Sequence, residues 1–81
     1  MNNHTSVPVA VLGASGYVGR ELLRLLARHP GASVAFATAE SAAGEWVEGH
    51  QLIKADDAPF TSAEIVFSAL PHGVSARYVH D

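Results

Sequence analysis

The 81-residue sequence contains no cysteine, which excludes disulfide bridges, cysteine-ligated zinc, iron–sulfur clusters and a cysteine nucleophile within these residues. Basic residues are few, and a net charge of −3 argues against a nucleic-acid partner. No apolar run approaches the roughly 18 residues that a membrane-spanning helix needs, so no membrane partner is expected. Residues 1–6 are polar and lack the features of a signal peptide, which predicts a flexible N-terminus and a cytoplasmic protein.

The composition is typical of a small folded unit. Hydrophobic residues make up 48% of the chain and charged residues 16%, which excludes intrinsic disorder and favours an α/β core with buried parallel strands. A chain of this length forms one domain at most and buries only about 60% of its unfolded surface. Because it has no disulfide staple, we expect it to fold weakly alone and to be part of a longer protein.

Three apolar segments predict strands of a parallel sheet. Val7–Leu12 and Ala32–Thr38 are two of them, and Glu64–Leu70 is the third. Gly16–His29 predicts a helix between the first two, because it carries apolar residues at helical spacing and stops before Pro30. Strand, helix and strand together have the size of one right-handed crossover unit, the start of a doubly wound α/β sheet.

The remaining segments are less regular. Leu52–Ile53 and Pro59–Phe60 are candidates for short strands, and Trp46 is expected to be a packing anchor. Val74–His80 predicts the opening turns of a second helix. In the first helix, the predicted buried stripe consists of Val18, Leu22, Leu25 and Leu26.

A glycine motif, Gly13–Gly19 (GASGYVG), lies directly after the first strand and opens the first helix. A dinucleotide fingerprint needs one glycine for the tight turn, one for close approach of the pyrophosphate and one for helix–strand packing. We assign these needs to Gly13, Gly16 and Gly19 in that order, with a further hydrogen bond from Ser15. The alternative is a glycine turn that merely joins a strand to a helix. In its position, the motif predicts a partial Rossmann-like NAD(P)-binding domain over residues 7–81.

The end of the second strand predicts contacts to the adenosine ribose. An acidic residue about 20 positions past the glycines favours NAD, and a basic residue there favours NADP. Thr38 and Ser41 carry hydroxyls that suit a 2′-phosphate, whereas Glu40 repels one if it points inward. Glu40 is otherwise a solvated loop carboxylate, so these residues leave the choice between NAD and NADP open.

The end of the third strand lies at the carboxyl edge of the sheet, where open α/β folds bind ligands. Pro71, His72 and Gly73 follow that strand, and His72 contacts cofactor or substrate unless it is a solvated loop histidine. The other histidines show no metal-ligand spacing, so no metal site is expected.

Together these residues resemble the N-terminal part of the N-acetyl-gamma-glutamyl-phosphate reductase family. Three segments carry the resemblance: GASGYVGRELLRLLARHP (residues 13–30), Thr38-x-x-Ser41-x-x-Gly44, and ALPHGVSA (residues 69–76). Between Glu45 and Ala63 the match is thin, and this stretch is shorter than is usual in the family.

The resemblance implies NADPH-dependent reduction of a small acyl phosphate, N-acetylglutamyl 5-phosphate, to its semialdehyde in arginine biosynthesis. It implies a homo-oligomeric enzyme whose nucleophilic cysteine lies outside these residues, so that the 81 residues alone are inactive. Thr38 and Ser41 then lie near the 2′-phosphate, although Glu40 stands where the family commonly has a basic residue. Pro71, His72 and Gly73 line the nicotinamide side, and the pyrophosphate is cradled by Gly13, Ser15, Gly16, Tyr17 and Val18.

Two alternatives remain open. Aspartate-semialdehyde dehydrogenase has a similar fold and fingerprint, and the ALPHG segment argues against it. A short-chain-dehydrogenase-like protein that binds NAD(P) as a regulator without catalysis carries a similar glycine motif. Its helix usually ends in Gly-His, whereas here the helix is followed by His29-Pro30-Gly31.

Overall fold

A computed structural model describes residues 6–70 and 73–78 of the protein. The elements in chain order are β1 (Val7–Leu12), α1 (Tyr17–Ala27), β2 (Ala32–Thr38), β3 (Trp46–Val47), β4 (His50–Gln51), β5 (Ile65–Leu70) and β6 (Gly73–Tyr78). Two 3₁₀ helices, Ala55–Asp57 and Phe60–Ser62, lie between β4 and β5. Within these described ranges, no helix is long and apolar enough to cross a membrane.

β1 lies in the interior of the main sheet, whose strand order is β2–β1–β5–β6. β2 and β5 both run parallel to β1. Residues 9–11 are at most 2% exposed, because strands flank both edges of β1 and apolar side chains cover both faces. The predicted strands Val7–Leu12 and Ala32–Thr38 are confirmed, and the third begins at Ile65. The partial Rossmann-like parallel sheet is therefore confirmed as well.

The helix α1 lies inside the predicted range Gly16–His29, but its buried face is only partly the one predicted. Gly19 and Leu23 are its buried residues, whereas Val18 is 46% and Leu25 65% exposed. The predicted stripe through Val18 and Leu25 is therefore wrong. The helix packs closely against the preceding turn at Gly19. Gly19 therefore faces the sheet, and its neighbour Val18 does not. The other members of the predicted stripe pack against the core while partly buried: Leu22 and Leu26.

Apolar side chains cover both faces of the sheet, because successive residues of a strand point to opposite sides. The cluster on the α1 face consists of Val11, Ala14, Leu23, Ala37, Ala39, Val47 and Leu52. The opposite cluster consists of Ala10, Phe36 and Ala63. The Phe36 ring meets Phe60 of the second 3₁₀ helix edge to face, with centroids 5.3 Å apart. The segment before β5 thus covers the face that α1 leaves open.

The hairpin β3–β4 corrects one prediction about packing. Trp46 is 68% exposed and is not the expected anchor. Its neighbour Val47 is 6% exposed and joins Leu52 in the core. Because neighbouring strand residues face opposite ways, burying Val47 turns Trp46 outward.

The two predicted short strands have different outcomes. Ile53 forms a parallel bridge to Thr38, so the prediction for Leu52–Ile53 is confirmed in part. The bridge is made by the Ile53 N–H, which donates to the Ala37 carbonyl, and by the Ile53 carbonyl, which accepts from the Ala39 N–H. The predicted strand at Pro59–Phe60 is wrong, because Phe60 begins a 3₁₀ helix that Pro59 precedes.

The predicted helix over Val74–His80 is also wrong for residues 74–78, and residues 79–80 lie outside the described ranges. Residues 73–78 form β6, which pairs antiparallel with β5 from Leu70↔Gly73 to Ile65↔Tyr78. A β-branched residue and an aromatic residue in this segment favour a strand, and β5 offers an edge of backbone hydrogen-bonding groups. The backbone hydrogen bonds between β5 and β6 therefore outweigh the helical spacing of the apolar residues.

We expect backbone strain at Glu48, in the turn between β3 and β4. Glu48 has φ 48° and Gly49 φ 83°, a left-handed pair typical of a tight hairpin turn, and only the glycine adopts it readily. The Glu48 carboxylate also lies 3.4 Å from the Arg24 guanidinium of α1. Replacing Glu48 by Ala or by Asn removes this exposed pair equally, but Asn tolerates the left-handed conformation. We expect Glu48→Asn to be about 1 kcal/mol more stable than Glu48→Ala in urea denaturation. Equal stabilities would show that the turn is not strained.

Candidate functional site

The turn between β1 and α1 is attached to the end of β2 by two hydrogen bonds. The backbone N–H groups of Gly13 and Ala14 donate to the Thr38 carbonyl, at N···O distances of 3.1 and 2.8 Å. Gly13 has φ 76°, a conformation that glycine adopts without steric cost. Ala14 is fully buried, so the turn is fixed on its inner side.

Gly19 is required by close packing. A Cβ atom at Gly19 would lie 2.5 Å from the Gly13 carbonyl oxygen and 2.6 Å from the Ala14 Cα. Both neighbours are backbone atoms, which cannot move without deforming the turn. The fold therefore demands glycine here, as the predicted packing role requires.

Gly16 has no comparable reason within the chain. It precedes the first residue of α1 with φ −81° and ψ 172°, a conformation open to any residue, and a Cβ there would meet no atom within 4 Å. The space outside Gly16 is open, and the first backbone N–H groups of a helix have no intrahelical acceptor. Ser15, just before Gly16, is exposed, as are Tyr17 and Val18 at the start of α1. The open space and the helix start together suit an anionic group such as a pyrophosphate.

A cleft of about 210 Å³ opens beside this turn, at the carboxyl edge of β1, β2 and β5. Ligands of open α/β sheets bind at this edge. The seven described residues that line the cleft are Leu12, Gly13, Thr38, Ala39, Glu40, Ala55 and Ser68.

Glu40 is the charged residue among the described residues that line the cleft. It is exposed, and its Oε2 accepts a hydrogen bond from the Ala55 backbone N–H at 3.3 Å. Ala55 begins the first 3₁₀ helix. Glu40 is thus exposed, as a solvated carboxylate is, but it is also positioned at the rim of the cleft.

The structure brings together only some of the predicted site residues. Gly13 and Thr38 line the cleft, although Thr38 is only 3% exposed. Ser41 is exposed and is not among the described residues that line it. Gly73 begins β6 and pairs with Leu70. The remaining two predicted residues lie outside the described ranges: Pro71 and His72.

Sequence reasoning missed two polar contributors to the cleft. Ser68 is a hydroxyl residue inside the otherwise apolar strand β5, which is a signal that could have identified it. Ala55 contributes through its backbone N–H, which no side-chain pattern reveals.

A larger groove, of about 390 Å³, lies between α1 and the β3–β4 hairpin. Arg24 there forms ion pairs with Glu21 at 3.2 Å and with Glu48 at 3.4 Å. The first of these pairs lies within α1, and the second joins α1 to the hairpin. Among the described residues, no group of three His, Asp or Glu side chains is placed to hold a metal ion.

Comparison with known proteins agrees with this geometry. The family model described as the semialdehyde dehydrogenase NAD-binding domain matches residues 8–81. N-acetyl-gamma-glutamyl-phosphate reductases from Methanosphaera stadtmanae and Salinispora arenicola are 42% and 48% identical over 93% and 86% of this chain. A putative LysW-L-2-aminoadipate/LysW-L-glutamate phosphate reductase from Pyrococcus horikoshii is 38% identical over 93% of it. The chain spans 24% of the length of each of these relatives, and no solved structure matches it significantly.

Substitutions at Gly16 and at Gly19 are expected to have opposite phenotypes. Gly16→Val puts a branched side chain into open space, so we expect a stability loss of no more than about 1 kcal/mol from the poorer helix start. We expect its dinucleotide affinity to fall at least tenfold. Gly19→Ala overlaps the backbone and is expected to lose about 1–3 kcal/mol. Urea denaturation and calorimetric titration with NADH and NADPH measure both properties. Unchanged affinity in folded Gly16→Val would contradict the phosphate cradle.

Proposed function

This chain belongs to the semialdehyde dehydrogenase family, as its NAD-binding domain, and from that premise we propose that it supplies the dinucleotide site of an N-acetyl-gamma-glutamyl-phosphate reductase. The proposed reaction converts N-acetylglutamyl 5-phosphate to its semialdehyde and releases phosphate, as a step of arginine biosynthesis in a cytoplasmic homo-oligomer. The observation that carries the proposal is Gly16, a glycine that the fold does not need, at a helix start beside a cleft. The identity to reductases along almost the whole chain supports the choice of reaction.

The bound cofactor supplies the hydride of this reaction. The residues of this chain hold it: the turn over Ser15–Val18 offers backbone N–H groups to the pyrophosphate. The cleft beside Thr38 and Ser68 receives the adenosine half. Pro71 and His72 follow β5 in the sequence and are proposed to line the nicotinamide side. A cysteine nucleophile would have to come from other residues, because this chain has none.

For the form of the cofactor, the resemblance implies NADPH, with the hydroxyls of Thr38 and Ser41 as the implied 2′-phosphate contacts. Glu40 opposes that form, because its carboxylate repels a phosphate and accepts a hydrogen bond from a free ribose hydroxyl. The nicotinamide dinucleotide itself follows from the family.

A second candidate is the reduction of a LysW-bound aminoadipyl or glutamyl phosphate. The 38% identity to the putative reductase of Pyrococcus horikoshii favours it. The higher identity to the Salinispora arenicola enzyme favours the N-acetylated substrate.

The activity is tested with the complete gene product in the reverse direction. We expect phosphate-dependent reduction of the oxidised dinucleotide with N-acetylglutamate 5-semialdehyde, and loss of that activity in Gly16→Val. Phosphate omission and aspartate semialdehyde are the controls. Activity with aspartate semialdehyde alone would favour aspartate-semialdehyde dehydrogenase instead. Tight dinucleotide binding without turnover of either aldehyde would favour a non-catalytic regulator.

A further inference from the structure

We propose that Glu40, positioned by the Ala55 backbone N–H, selects NADH over NADPH at the adenosine cleft of this protein. The inference rests on the proposed dinucleotide site but not on the identity of the substrate. It concerns the residue that reads the 2′ position of the adenosine ribose, and it opposes the NADPH preference that the resemblance implies.

The position of Glu40 carries the first step. Glu40 lies two residues past the end of β2 and lines the cleft together with Leu12 and Gly13. In dinucleotide-binding α/β sheets, the residue after the second strand meets the adenosine ribose. The Glu40 carboxylate therefore lies on the side of the cleft where the 2′ substituent is read.

The contact with Ala55 carries the second step. A carboxylate has two oxygens, and accepting from Ala55 at Oε2 leaves Oε1 with lone pairs for a ribose hydroxyl. This hydrogen bond holds the carboxylate at the cleft rim without neutralising its charge. The arrangement suits a hydroxyl donor and disfavours a phosphate.

The surroundings of Glu40 carry the third step. Among the described residues that line the cleft there is no Lys or Arg to pair with a phosphate. Ala55 is preceded by Lys54 and followed by the exposed Asp56 and Asp57, so the segment that carries its N–H has a net negative charge. The hydroxyl residue Thr38 is 3% exposed and offers little surface to a phosphate.

Because Glu40 is exposed, water and salt screen its charge, and we expect a moderate selectivity. Calorimetric titration of the complete gene product should give an affinity for NADH about tenfold higher than for NADPH at low ionic strength. The ratio should shrink as sodium chloride is added, because screening weakens repulsion of the phosphate more than a hydrogen bond.

Three variants separate charge from position. Glu40→Gln keeps an acceptor for Ala55 but removes the charge, so NADPH affinity should rise severalfold and the ratio approach one. Ala55→Pro keeps the charge but removes the N–H. Proline is tolerated at this first helical position, because Lys54 before it is already extended at φ −77° and ψ 148°. For Ala55→Pro, the ratio of NADH affinity to NADPH affinity should lie between the ratios of the unmodified protein and of Glu40→Gln. Glu64→Gln is the matched control. Glu64 is exposed and lies just before β5, at the end of the strands opposite to the cleft, so this variant should leave the ratio unchanged.

Equal or tighter binding of NADPH by the unmodified protein would overturn the proposal, as would an unchanged ratio in Glu40→Gln. Binding is measured without substrate, so the two proposals can fail separately. NADH preference without reductase activity would contradict the proposed reaction alone. Reductase activity with a preference for NADPH would contradict the selectivity alone.

Discussion

The Thr38 carbonyl is the point on which the arrangement of the site depends. Its oxygen accepts from both Gly13 and Ala14, so the turn that begins α1 is attached to the end of β2 rather than to its own strand alone. The helix start, the cleft and Glu40 all lie within a few residues of these bonds. Because the acceptor is the backbone carbonyl, this attachment does not depend on the Thr38 side chain. The backbone conformation therefore sets the geometry of the turn, and glycine is needed only where the backbone is too crowded or too sharply bent for a side chain.

The sequence predicted the parallel strands closely because each is an apolar run with a clear end. Val7–Leu12 ends at a glycine that adopts positive φ, and Ala32–Thr38 follows a proline that stops the helix. The glycine motif was also readable, since two of its glycines have separate structural requirements. The turn needs Gly13, and packing needs Gly19.

The rest depended on tertiary contacts that periodicity does not contain. The burial of α1 is set by its approach at Gly19, which shifts the inward face away from Val18. Trp46 is exposed because Val47 is the residue directed into the core. β6 forms because β5 has an edge to pair, although its own residues show helical spacing. In the site, the Glu40 contact joins a side chain to a backbone N–H fifteen residues away, and no local pattern announces such a pair.

The bridge between Thr38 and Ile53 has a consequence for how this protein can change. The chain leaves β2 and returns beside it, with hydrogen bonds joining Ala37 and Ala39 to Ile53. These hydrogen bonds close the base of the segment that contains the β3–β4 hairpin. Insertions or deletions at its tip, around Glu48, can alter its length without altering the separation of the residues that flank the cleft. The length of the hairpin is thus independent of the geometry of the cleft.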